Sequence, residues 1–196
     1  MNLVPIFITG LIGLCQDYLM ERLKLDFQDK FIDVKFHSTK IQKELLGKNS
    51  EDYFISKDIL EREIREKNFI VFYERLNIYL SRLELQRIKD MGKLSLIFID
   101  IPSSKTIKQE GTCKNAIFIC ITSKSIEQFR DYQKKKNLDN EIFEYLIDLA
   151  KEDIPFCTSD HFDNIIYQSN DNLEECYQQL TEILIPYISI ENTKKN

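Results

Sequence analysis

Apolar positions recur along this chain in two rhythms, and the places where one gives way to the other mark its elements. Leu3 to Thr9 is rich in β-formers and runs through Gly10 and Gly13 into Asp17, Tyr18, Leu19, Met20 and Glu21. This predicts a strand, a glycine turn and a helix, with Gln16 or Asp17 at the helix start. From Phe31 to His37 the pattern alternates, with Ile32, Val34 and Phe36 on one face and Asp33, Lys35 and His37 on the other, as in a half-buried strand. Asp52 to Ile55 predicts a short strand, and Ser56 caps a helix that turns Leu60 and Ile64 inward. Phe69 to Tyr73 is a further strand. Ser81 and Glu84 have the spacing of a capping box for a helix that Gly92 should end.

Ser95 to Ile101 and Ala116 to Thr122 are continuous apolar runs, the pattern of parallel strands covered on both faces. Ser125 and Gln128 open a helix that ends in Lys134, Lys135 and Lys136, a run that reads as a solvated helix end. A second helical stretch from Asp139 carries Ile142, Phe143, Leu146, Leu149 and Ala150. Asn164 to Gln168 is the last strand, and Leu173, Cys176, Leu180 and Leu184 line the closing helix. Such alternation predicts an α/β fold: five parallel strands flanked by helices, joined by right-handed crossovers. Ligands of such sheets bind beyond the carboxyl ends of the strands. The strand-dense stretch 31–81 reads as an inserted β-rich lobe and 123–152 as a helical lid, leaving 1–30, 82–122 and 153–190 as the core.

Charge narrows the function. Across 196 residues, 27 Lys and Arg stand against 32 Asp and Glu, a net charge of −5. Binding to nucleic acid or to an anionic membrane needs clustered positive charge, so neither is expected. The five cysteines lie far apart without a C-x-x-C pair, and only His37 and His161 accompany them. No disulfide framework, zinc site or other metal centre is expected, and reduced thiols in the cytoplasm are the reading. The longest apolar run, Leu3 to Cys15, is about 13 residues, short of the roughly 18 needed to span a bilayer.

The glycine turn invites comparison with the phosphate-binding pattern G-x-x-x-x-G-K-[ST], in which glycines let amides close around phosphate, lysine reaches its oxygens and the hydroxyl holds magnesium. Gly10 fits and Gly13 adds a glycine. The second required glycine is Cys15, the lysine is Gln16 and the hydroxyl is Asp17. A tight strand-to-helix turn without a ligand explains the same glycines.

Further motifs follow in order. Ser38-Thr39-Lys40-Ile41-Gln42-Lys43 and Asp52-Tyr53-Phe54 precede Ser56 to Lys67, Phe69 to Glu74, and Asn77-Ile78-Tyr79-Leu80-Ser81. Ile99-Asp100-Ile101, Thr122 to Glu127 and Asp163-Asn164-Ile165-Ile166 come after them. From residue 3 to 187 this succession resembles the guanylate kinases and their non-catalytic guanylate-kinase-like relatives, with a degenerate P-loop.

The resemblance implies a P-loop-kinase-like parallel sheet with a monophosphate-binding lobe and a lid. It implies that Lys40, Lys43, Tyr53 and Tyr79 meet the phosphate of a nucleoside monophosphate, with Ser81 beside the base and Asp100 near magnesium. Lysines replace the family's two arginines, keeping charge while losing the planar fork that grips phosphate. The family's guanine-reading glutamate falls on Val71 and its preceding serine on Phe36, so guanine selectivity loses its polar pairing. The paired lid arginines fall on Tyr145 and Leu146, leaving Arg130 and Lys134 to Lys136 as the nearby cations.

At the degenerate loop of Gly10, Gly13, Cys15, Gln16 and Asp17, a carboxylate at the helix start is expected to satisfy the free amides itself, and the cation is missing. Phosphoryl transfer depends on positioning and charge neutralisation, so these losses compound. The expected function is therefore a catalytically inactive guanylate-kinase-like protein without catalytic residues or cofactor, binding a nucleoside monophosphate or a phosphorylated or acidic protein partner. The alternative is a divergent nucleoside monophosphate kinase that uses ATP and Mg with GMP.

Overall fold

The computed structural model describes residues 4–28, 30–39, 53–73, 78–111, 113–157, 160–169 and 172–188, with residues 71–73 described by backbone alone. In chain order the elements are β1 (Ile6–Gly10), α1 (Gln16–Asp26), β2 (His37–Ser38), β3 (Tyr53–Phe54), α2 (Lys57–Arg65), β4 (Phe69–Tyr73), β5 (Ile78–Ser81) and α3 (Arg82–Asp90). They continue with β6 (Leu96–Phe98), α4 (Ile101–Glu110), β7 (Ile117–Thr122), α5 (Ile126–Lys134), α6 (Asn140–Cys157), β8 (Asn164–Tyr167) and α7 (Leu173–Ile188). The fold is α/β, with a parallel sheet in the order β6-β1-β7-β8 and flanking helices. A second four-stranded sheet runs β3-β2-β5-β4. The chain divides into two compact units, one of residues 1–7 with 31–116 and one of residues 8–30 with 117–196.

In the first unit, serine hydroxyls start two helices. Ser56 Oγ accepts from Ile59 N at 3.3 Å to open α2, and Ser81 Oγ accepts from Glu84 N at 3.2 Å to open α3. Only half of the predicted capping box forms. The Glu84 carboxylate, 2% exposed, does not turn back to Ser81; it accepts from Lys35 N at 2.9 Å and from Arg87 Nε and Nη2 at 2.8 and 2.6 Å. In the lobe sheet β2 pairs parallel with β3 and antiparallel with β5, which pairs antiparallel with β4.

In the second unit β7 and β8 pair parallel, Ile119 opposite Asn164 through Thr122 opposite Tyr167. α1 packs on α7, α5 on α6 and α6 on β7. Phe118, Ile121, Phe129, Ile147 and Leu180 are buried at the centre of this unit, each contributing roughly 1.5–3 kcal/mol of transfer free energy. Tyr18 and Arg22 on α1 both reach Glu174 on α7, and the Tyr177 hydroxyl donates to Asp26.

Three expectations change. The central sheet has four strands among the described residues, not five. Residues 31–37 are not one strand: Phe31 makes a single parallel bridge to Leu94, Lys35 N bonds the Glu84 side chain, and pairing begins only at His37. The run from Ser95 is cut at Phe98, because Asp100 Oδ1 accepts from Ser103 N at 2.8 Å and starts α4, which closes on Gly111 with φ +62°. Among the described residues no helix is long and apolar enough to cross a membrane, and no three His, Cys, Asp or Glu gather as a metal-ligand set.

Candidate functional site

The glycine turn lies in the second unit. Gly10 ends β1 at φ +137°, and Leu11 N donates to Ile121 O at 3.1 Å, so the chain leaves the sheet pressed against the β7 backbone. Gly13 turns at φ +88°, a left-handed value that favours glycine. Cys15 is the N-cap of α1 and makes no side-chain cap bond. Its thiol shares a hydrogen bond with that of buried Cys176 on α7, and this bond and burial hold Cys15 protonated.

Gln16 does not extend beyond the turn. Its Nε2 donates back to Leu11 O at 2.8 Å. Asp17 is exposed and already inside the first turn of α1, and among the described residues no hydrogen bond joins its carboxylate to the first amides. The expectation that Asp17 caps the helix and fills the cradle is therefore corrected: Cys15 occupies the cap position, and the acid lies beyond it.

Nor does the turn lack a cation. Lys136 Nζ donates to Gly13 O at 2.5 Å, beside Gln133 Nε2, which donates to the same oxygen at 2.9 Å. The ammonium lies 4.8 Å from the centroid of the Tyr132 ring. Partial burial lowers its pKa, while the charge of Asp17 and the Cys15 thiol act to raise it. Residues 134–136 are exposed, as a solvated helix end requires, and Lys136 reaches the turn from that end. Lys134 pairs with Asp131 at 3.4 Å, and Arg130 pairs with Glu144 at 3.9 Å while facing the Phe143 ring.

The lobe, in the first unit, aligns two of the predicted phosphate contacts. Register sets His37 of β2 opposite Tyr53 of β3 on one side and Tyr79 of β5 on the other. The His37 ring lies 4.9 Å from Tyr53 and 5.3 Å from Phe69, and Phe69 lies 5.5 Å from Tyr79. Tyr79 is buried, whereas Tyr53 is 39% exposed and carries Lys35 Nζ 5.7 Å from its ring centroid. Phenolic hydroxyls donate to anions, so a row of two tyrosines with a nearby ammonium suits a phosphate monoester. Ser81 and Asp100 serve as helix caps; the hydroxyl of Ser81 accepts from Glu84 N and keeps its proton for donation. Lys40 and Lys43 lie outside the described residues.

Sequence reasoning did not single out Lys35, His37, Phe69 or Gln133, and it gave Lys136 only as one of the nearby cations. His37 and Phe69 are placed by strand register, and Lys35 lies just before β2, where its N bonds Glu84. Gln133 lies in the last turn of α5 and Lys136 just beyond its end.

Comparison with known proteins gives the family and the fold. The family model described as "Guanylate kinase" matches residues 3–187. Guanylate kinase 1 of Arabidopsis thaliana is 27% identical over 184 residues, covering 92% of this chain and 46% of that protein. The human guanylate kinase is 24% identical over 186 residues, covering 92% and 91%. The chain thus spans about half the length of the plant relatives, at 46% and 47%. Among solved structures, guanylate kinase from Anaplasma phagocytophilum superposes with a TM-score of 0.62 at 16% identity over 98% of this chain and 87% of that one, a likeness of fold. Taken with the ordered motifs and the lobe, the match over residues 3–187 makes this chain a member of the guanylate kinase family.

Proposed function

We propose that the chain binds a nucleoside monophosphate through its lobe and does not transfer phosphate from ATP at an enzyme's rate. Tyr53 and Tyr79, with Lys40 and Lys43, hold the phosphate, with Ser81 beside the base and Asp100 on the side where magnesium would accompany it. The observation that carries the reading is Gln16: at the family's lysine position stands a neutral amide folded back on Leu11 O at 2.8 Å. Asp17 stands where the family has a hydroxyl for magnesium. Losing one preorganised donor costs on the order of 10² to 10³ in rate, and here two are changed. A phosphorylated or acidic protein partner would present the same anionic group, and the five free cysteines suit a reducing cytoplasm.

An ADP-release assay with GMP and the other monophosphates tests the reading, and turnover above about 1 s⁻¹ overturns it. Thermal shift tests the binding half, since a ligand at 100 times its dissociation constant adds about 2.7 kcal/mol. Stabilisation by a phosphopeptide but not by GMP assigns the lobe to a protein partner. One observation favours the second reading, a divergent kinase using ATP and magnesium: Lys136 brings a cation to the turn on Gly13 O.

A further inference from the structure

Two of the five cysteines meet where two helices begin. Cys15 is the N-cap of α1, Cys176 lies in the first turn of α7, and the two helices pack on each other. Their thiols share a hydrogen bond. Further along α1 the helices are tied again, Tyr18 and Arg22 to Glu174 and the Tyr177 hydroxyl to Asp26, so the fold itself holds the two sulfurs together.

The thiolate is the reactive form of cysteine, and the partial positive charge at a helix N-terminus favours it. Both sulfurs lie at such an end. Their hydrogen bond lowers the Cys176 pKa and raises that of Cys15, which makes Cys176 the nucleophile and Cys15 the proton donor. The second pair is placed differently. Cys120 lies in the middle of β7 and Cys157 is the last residue of α6, an end that disfavours negative charge, and both are 0% exposed. Its hydrogen bond also lowers the Cys157 pKa, so placement and access separate the pairs rather than acidity. Cys15, 3% exposed at the end of the glycine turn and close to exposed Asp17, gives the first pair an edge toward solvent.

We propose that Cys15 and Cys176 form a redox-sensitive clasp, open as two thiols under reducing conditions and closed by hydrogen peroxide into a disulfide that bolts α7 to the start of α1. The Cys176 thiolate attacks one oxygen of the peroxide, the O–O bond breaks, and the hydroxide released takes up a proton to leave as water, giving a sulfenic acid. The Cys15 sulfur then attacks that sulfur. Its proton and the sulfenic hydroxyl leave as a second water, and the S–S bond forms. Two electrons pass from the sulfurs to the peroxide, and a dithiol returns them by exchange. The inference depends neither on the ligand of the lobe nor on phosphate transfer.

Peptide mass mapping of the full chain tests it, after graded hydrogen peroxide under native conditions and alkylation of the remaining thiols in denaturant. Peptides joined through Cys15 and Cys176, two hydrogens lighter than the free pair, should appear before any other link and vanish with dithiothreitol. The oxidised protein should unfold at a higher urea concentration than the reduced one, because the bond restrains the unfolded chain. Cys15→Ala should abolish both effects. If that variant melts early, the order of linkage in the unaltered chain decides alone. A link between Cys120 and Cys157 that forms first, oxidation that ends at Cys113, or a link seen only after unfolding overturns the proposal. An unchanged urea midpoint in the linked protein does so too.

Discussion

Gly10 lies so near Ile121 that a β-carbon on it would stand 1.8 Å from the Ile121 carbonyl oxygen. That oxygen already accepts from Leu11 N, so neither backbone can withdraw without losing the bond. Gly10→Ala should cost roughly 3 kcal/mol or more, by clash and by its φ of +137°. Gly13→Ala should cost less, about 1–2 kcal/mol for the left-handed turn, because the nearest atom at 3.2 Å is the mobile end of Gln133. Denaturant unfolding of the two variants checks the order, and equal losses would refute it.

Glu84 is a buried acid of the first unit. Both of its oxygens serve Arg87, and one also holds Lys35 N, so it ties α3 to the segment before β2. Its pairing raises the Arg87 pKa above the usual value. Glu84→Ala strands a guanidinium and a backbone amide and should cost about 3 kcal/mol. A lower urea midpoint at unchanged slope is expected; a midpoint equal to that of the unaltered chain would show the tie to be dispensable.

Two thiol pairs are closed to bulky reagents. Cys15 bonds Cys176, and Cys120 bonds Cys157, with all four buried and with Cys15 and Cys120 held protonated by these bonds and by burial. The same two bonds lower the pKa of Cys157 and Cys176, so it is burial rather than acidity that closes the pairs. Cys113 is only half-buried, although burial raises its pKa. A thiolate must meet its reagent to react. Under native conditions a maleimide should therefore label Cys113 first, and the other four only as the protein unfolds. Peptide mass mapping reads the order, and early labelling at Cys15 would contradict it.

Raising the pH through the titration of Lys136 should favour the fold. Its folded pKa is lowered, chiefly by desolvation, so the unfolded chain holds the proton more tightly. Loss of the proton therefore removes the cost of keeping a desolvated charge on an otherwise exposed residue, and stability gained this way appears as the pH rises through the lowered value. The groups facing the ammonium are Gly13 O, the Tyr132 ring, Asp17 and Cys15. Lys136→Arg should flatten this part of the stability profile, since a guanidinium stays charged; denaturant unfolding across alkaline pH checks it, and an unchanged profile would place the titration elsewhere.

Much of this architecture was legible in the sequence where local rules decide it. Ser56, Ser81 and Ser125 start the helices they were read to start, and β4 occupies Phe69–Tyr73 as its run indicated. The alternation at 31–37 misled because the partner of Lys35 N is a side chain 49 residues away, which no local pattern encodes. α4 went unread although Asp100, Pro102 and Gly111 mark its ends, since the apolar run through Ile101 resembled a continuing strand. Tyr53 and Tyr79 stand out by their motifs, but the row they form with His37 depends on register between separate strands. Lys136 belongs to a basic run that reads as solvent-facing, and only tertiary packing sets its last member on Gly13.

Gly10 and Asp100 have a shared consequence for judging kinship in this family. One is demanded by the closeness of two backbones and the other by the first turn of a helix, so both would persist in a descendant that had abandoned catalysis. They record ancestry and say little about turnover. Position 16 holds only one side-chain bond to Leu11 O and position 17 is exposed, so the backbone would tolerate other residues at both, and a change of chemistry there need not disturb the fold.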